Sequence, residues 1–175
     1  TAPEWTAPAG AGGSLVFLRK VTADGSSATL DSGSLTAYEE YMFTLTAPDA
    51  SLGAVYQMRF NNIGTNSYNW SYSSNGGADS TGTAESAMRC GGTGDNENFT
   101  YGVVMSSSSL ENFVQGFATT KGAGSNAPYR SVSVGGDEDT ANPVSSIQIR
   151  FEGFNIISGA ILTVWGMAKT STPNC

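Results

Sequence analysis

From residue 14 onward, apolar and polar side chains alternate along short runs with a period of two. In EYMFTLT, Tyr41, Phe43 and Leu45 take one set of positions and Met42, Thr44 and Thr46 the other. In GAVYQMRFN, Tyr56, Met58 and Phe60 alternate with Val55, Gln57 and Arg59. Successive side chains of a β-strand point to opposite faces, so this pattern predicts strands with one buried face. LVFLRKVT reads the same way, with Leu15, Phe17 and Val21 on one face. Toward the C-terminus, Ile147, Ile149 and Phe151 oppose Gln148, Arg150 and Glu152. In AILTVWGM, Leu162 and Val164 alternate with Ile161, Thr163 and Trp165. SYNWSYS, AESAMRC, FTYGVVM, FVQGFATT and PYRSVSV are further candidates.

Turn-forming clusters separate these runs: DGSS, NNIGTN, NGGADSTG, GGTGDN, KGAGSNAP and GGDEDTANP. Gly, Asn and Asp tolerate positive φ or close Asx turns. About ten short strands joined by such turns predict an all-β, antiparallel β-sandwich that is jelly-roll-like. LTAYEEY and SSSLENFV are the two stretches with the pattern of a helical turn. Residues 1–13, rich in Pro, Ala and Gly, predict an extended N-terminal arm. Residues 14–169 then form a single sandwich domain and 170–175 a C-terminal tail. Trp5 is a large apolar group in an arm with no core of its own, which makes it an assembly candidate. Either it folds back onto its own domain or it docks on a neighbouring subunit.

Composition narrows the function. Apolar residues make up 39% of the chain and charged residues 13%, so Ser, Thr, Asn and Gly must carry its solubility. A helical bundle normally shows more Lys and Glu. The formal net charge is −7, and the eight Lys plus Arg are scattered, with Arg19-Lys20 their one adjacent pair. No basic footprint for nucleic acid or for an anionic membrane surface is visible. TAPEWTAPAGAGG lacks the basic start and apolar stretch of a secretory signal, so the expected start is one that lost only an initiator Met, with a cleaved leader as the alternative. Cys90 and Cys175 either tether the tail as a disulfide or stay as two reduced thiols.

Histidine is absent, which removes the Ser-His-Asp and Cys-His machineries and the usual zinc sites. A carboxylate pair of the glycosidase kind is the remaining catalytic arrangement. Nothing in the spacing of Glu39, Glu40, Glu85, Glu97, Glu111 and Glu152 selects one, and the expectation is no enzyme and no cofactor. Two acidic loops offer weak calcium candidates through oxygen ligands: Asp95 and Glu97 in GDNEN, Asp137 and Asp139 in GGDEDT. Neither has EF-hand spacing. Tyr68, Trp70 and Tyr72 occupy alternate positions and share one strand face. Such a row either stacks on the apolar face of a sugar ring or fills the core. Asn69-Trp70-Ser71 and Asn98-Phe99-Thr100 match the glycosylation acceptor pattern, a match read as accidental.

The stretch SSIQIRFEGFNIISGAILTVWGM closes on Ser158-Gly159, Ile161, Leu162, Val164, Trp165, Gly166 and Met167. It resembles a recurrent ending of bacteriophage virion proteins, with Trp165 where Tyr is more usual. Upstream, LDSGSLTAYEEYMFTLTAPDASLGAVYQMRFNN resembles an element of the same proteins, through Tyr38, Tyr41, Pro48, Met58 and Arg59. The two regions cover about a third of the chain. The resemblance implies a jelly-roll-like domain in a tail fibre, head fibre or capsid decoration, often a trimer or ring. It transfers no catalytic residue. The expected protein is a non-enzymatic virion subunit. Its expected partners are copies of itself in a homotrimer or ring, other virion proteins and a host-surface glycan. The alternative is a lectin-like carbohydrate-binding module using Tyr68, Trp70 and Tyr72. A glycan hydrolase working with carboxylates ranks third.

Overall fold

The computed structural model describes residues 14–47, 56–74, 78–91, 98–106, 112–121, 128–137, 142–151 and 155–167. Twelve strands occur among these residues and no helix. The first half of the chain supplies β1 (Leu15–Thr22), β2 (Thr29–Asp31), β3 (Glu40–Ala47), β4 (Tyr56–Phe60), β5 (Tyr68–Ser74) and β6 (Ser80–Glu85). The second half supplies β7 (Met88–Gly91), β8 (Asn98–Met105), β9 (Phe113–Lys121), β10 (Pro128–Asp137), β11 (Ile147–Phe151) and β12 (Ile161–Met167).

The strands form two antiparallel sheets. The larger runs β1-β12-β3-β8-β9-β10-β5-β6 and the smaller β2-β11-β4-β7. Four pairs are nested in sequence: β1 with β12, β2 with β11, β3 with β8, and β4 with β7. A chain folded back on itself in this way and shared between two sheets is a jelly-roll-like sandwich. The strands β5–β6 and β9–β10 are inserted into this frame, and both join the large sheet beyond β8. The arm at 1–13, with Trp5, and the tail at 170–175 lie outside the described residues.

The core sits between the sheets. Tyr41, Phe43, Leu45, Leu162 and Val164 enter it from the large sheet. Met58, Phe60, Ile147 and Ile149 meet them from the small one. Each such side chain, fully buried, stabilises the fold by about 1.5–3 kcal/mol. Between β4 and β5 the backbone turns at Asn61 and Asn62, with φ of 53° and 58°. The Asn61 side chain then pins the approach to β11. Its Oδ1 accepts from the Ser145 and Ser146 amides, and its Nδ2 donates to the Pro143 carbonyl.

Three local expectations are corrected. LTAYEEY forms no helical turn. Its polar groups go elsewhere: the Leu35 amide donates to the Ser145 carbonyl, and the Tyr38 amide to the Tyr41 hydroxyl. AESAMRC is not one strand, since Ser86 and Ala87 break it between β6 in the large sheet and β7 in the small one. In β1, the register with β12 shifts between Phe17 and Arg19. The extra residue reverses which positions point inward. Phe17 therefore faces solvent beside Trp165, while Val21 pairs with the buried Leu162.

Candidate functional site

The outward positions of the large sheet carry an unusual amount of apolar surface. In β8 the inward positions Thr100, Gly102 and Val104 are buried, so Phe99, Tyr101, Val103 and Met105 all point out. These four are between 38% and 54% exposed. The rings of Phe99 and Tyr101 lie 6.3 Å apart, centroid to centroid. Phe113 pairs with Met105 from β9, and Val134 projects from β10; both are exposed.

Strand register joins these side chains into a row. Phe17 lies opposite Trp165, Trp165 opposite Met42, and Met42 opposite Val103. The row continues through Gln115 to Val134. It crosses six adjacent strands. A hollow of about 280 Å³ opens among Val103, Met105, Phe113 and Val134. Beyond Phe113 and Val134 the face turns polar, with a second hollow of about 460 Å³ bordered by Asn69, Ser71, Thr81 and Thr83.

Sequence reasoning assigned no role to the outward side chains of β8. FTYGVVM is apolar on both faces, so alternation alone does not say which face is covered. That double-sided pattern was the one available signal, because in an antiparallel sheet a half-solvated strand normally alternates cleanly.

The predicted aromatic row faces inward. Tyr68 is fully buried, and its hydroxyl accepts from the Phe60 amide at 3.0 Å. The same hydroxyl lies 3.2 Å from the Phe60 and Ile63 carbonyls, so it ties β5 to the turn after β4. Tyr72 is buried beneath the Arg89 guanidinium, whose central carbon sits 4.0 Å from the ring centroid. Trp70 is half-buried against Gly82, where a β-carbon would come within 2.4 Å of the indole. Tyr68 and Tyr72 are buried, so the faces that sugar stacking needs there are covered, whereas Trp70 packs against the edge of the core and also lines the 460 Å³ hollow.

Among the weak calcium candidates, Asp137 is described and buried. Its carboxylate accepts from the Asn112 amide and from Asn112 Nδ2, and its own amide donates to the Asn112 carbonyl. This arrangement clamps the start of β9 to the end of β10. Asp95, Glu97 and Asp139 lie outside the described residues, as do Glu111 and Glu152. Among the described residues no group of three or more metal-ligating side chains converges. Glu40 on β3 and Glu85 on β6 are five strands apart, roughly 24 Å at the usual strand spacing. That exceeds the separation of a glycosidase pair. Cys90 is buried, and burial pushes its thiol up to about 12. Cys175 lies outside the described residues.

Comparison with protein-family models, curated proteins and solved structures finds no match for this chain.

Proposed function

We propose that this chain is a non-enzymatic structural protein of a bacteriophage virion, an assembly subunit of a fibre, tail appendage or capsid decoration. The observation that carries the reading is the apolar outer face of the large sheet, centred on Val103. Exposed apolar patches larger than a few hundred Å² are uncommon on proteins that work alone, and they mark surfaces built to be covered. The jelly-roll-like pairing agrees with the architecture that the two virion-like sequence elements imply. Those elements, at 30–62 and 145–167, also meet in space. Met42 pairs with Trp165, and Tyr41 with Gly166.

On this reading the partners are further copies of the chain, neighbouring virion proteins and a receptor on the host surface. The test is chemical analysis of phage particles purified from a host carrying the gene. Peptides of this chain are expected in whole-number stoichiometry with the other virion proteins. Their absence from purified particles, with the chain present in the lysate, overturns the reading.

A further inference from the structure

We infer that the apolar outer face of the large sheet is the contact between copies of this chain, with Val103 near its centre. The inference rests on the assembly-subunit reading and names the partner that covers this surface.

Area is the first support. A buried aromatic side chain covers 150–250 Å². Phe99, Tyr101, Val103, Met105, Phe113 and Val134 are each two-fifths to half exposed. With Phe17 and the half-buried Trp165 and Met42, they offer roughly 600–800 Å², close to one partner's share of a stable interface. Charge is the second. The whole chain carries −7, so copies repel one another at long range. Yet the outward positions of β12, β3 and β8 hold one charged side chain, Glu40. A contact across these three strands brings acidic chains together with few like charges facing one another.

Shape is the third support, and it favours a second copy over an unrelated protein. The same face carries a raised ring and a recess. Phe17 stands 59% exposed on β1, at one end of the row. The hollow among Val103, Met105, Phe113 and Val134 lies on the other side of β12 and β3. A face that holds both a knob and a hole can engage itself, reciprocally in a two-fold pair or head-to-tail in a ring.

Light scattering and sedimentation across a dilution series test this on the full chain. The wild type is expected to weigh at least twice its 18.1 kDa chain mass and to dissociate on dilution. Val103→Asp should raise the midpoint concentration about 30-fold or more, the size of an interface hot spot. Arg150→Gln, on the outer face of the small sheet, changes the net charge by the same one unit as Val103→Asp and should shift the midpoint less than about 2-fold. Radical footprinting of the wild type reads the same face without any substitution. Labelling of Met105 and Tyr101 should fall as concentration rises through the association.

A wild type that stays monomeric at every concentration overturns the inference. So does an oligomer in which Met105 and Tyr101 label equally at both ends of the series. Presence in particles is a separate readout. A chain that associates through this face but is missing from virions sinks the virion reading and leaves this one standing. A virion component that is monomeric in solution does the reverse.

Discussion

The ring of Tyr38 packs against the α-carbon of Gly166, so closely that a β-carbon there would come within 2.4 Å of Tyr38 Cδ2. Tyr38 lies just before β3, and Gly166 lies in β12, opposite Tyr41. The contact joins the two elements that carry the virion-like pattern, and it gives the Trp165-Gly166 pair a physical reason. Tyr38 itself stands edge-on to Tyr41, with centroids 6.1 Å apart.

Gly166→Ala is therefore expected to destabilise the fold by about 1–3 kcal/mol, the usual penalty for overpacking. Removing the obstacle should restore part of that loss. In urea unfolding, Gly166→Ala combined with Tyr38→Ala should be less damaging than the sum of the two single changes. Simple additivity would mean that the ring does not restrict position 166.

Tyr41 is a second anchor of the same corner. Its hydroxyl accepts from the Tyr38 amide at 3.0 Å and lies 2.8 Å from the Val144 carbonyl and 3.2 Å from that of Thr36. Its one proton serves one carbonyl at a time, and the shorter contact is to Val144. Tyr41→Phe strands these partners inside the protein and should lower stability by about 1–3 kcal/mol, with little change in packing. Thermal melts of the variant should show the drop. An unchanged midpoint would count against the hydroxyl as an anchor.

Asn112 supplies three hydrogen-bond contacts to the buried carboxylate of Asp137. Its Nδ2 has two protons for three acceptors: one goes to the Asn142 carbonyl at 3.0 Å and the other is shared between the two carboxylate oxygens. Asn112→Ala keeps the backbone bond and deletes the side-chain ones. It should destabilise by about 1–3 kcal/mol or more, because a charged group loses donors away from water. Asn112→Asp should be worse still, since it sets a second carboxylate against the first. Denaturant midpoints of the two variants check the order.

Alkaline pH should weaken the fold. Burial raises the Cys90 thiol from 9.0 to about 12, and it raises the Tyr41 and Tyr56 hydroxyls above their usual 10.0. The folded state holds all three neutral, whereas in the unfolded chain they ionise near their ordinary values. Their contribution is complete below about pH 9 and is lost as pH rises toward the folded values. Urea midpoints measured from pH 7 to 11 should fall, and the fall should be shallower in Cys90→Ala. At pH 8 the native thiol should resist alkylation that proceeds once the protein is unfolded. A flat profile would contradict the burial of these groups.

What could be read along the chain was whatever depends on near neighbours. The alternation of Tyr41, Phe43 and Leu45, and of Tyr56, Met58 and Phe60, named both the strands and their buried faces. A period-two pattern is set by backbone geometry alone. The polar turn at Asn61 and Asn62 was legible for the same reason. β2 was not, because three residues are too few to show a period. Nor was the reversal in β1, since a bulge is created by the partner strand and leaves no mark in LVFLRKVT.

Sequence by itself thus determined an all-β chain without histidine, acidic overall and built from short alternating strands. Tertiary structure decided the nested pairing, the inward turn of Tyr68, Trp70 and Tyr72, and the outward turn of Phe99, Tyr101, Val103 and Met105. The reason is that burial belongs to pairs of surfaces. A strand apolar on both faces has two equal candidates for the core. β8 buries Val104 and leaves Val103 in solvent because the small sheet covers only one side of the large one.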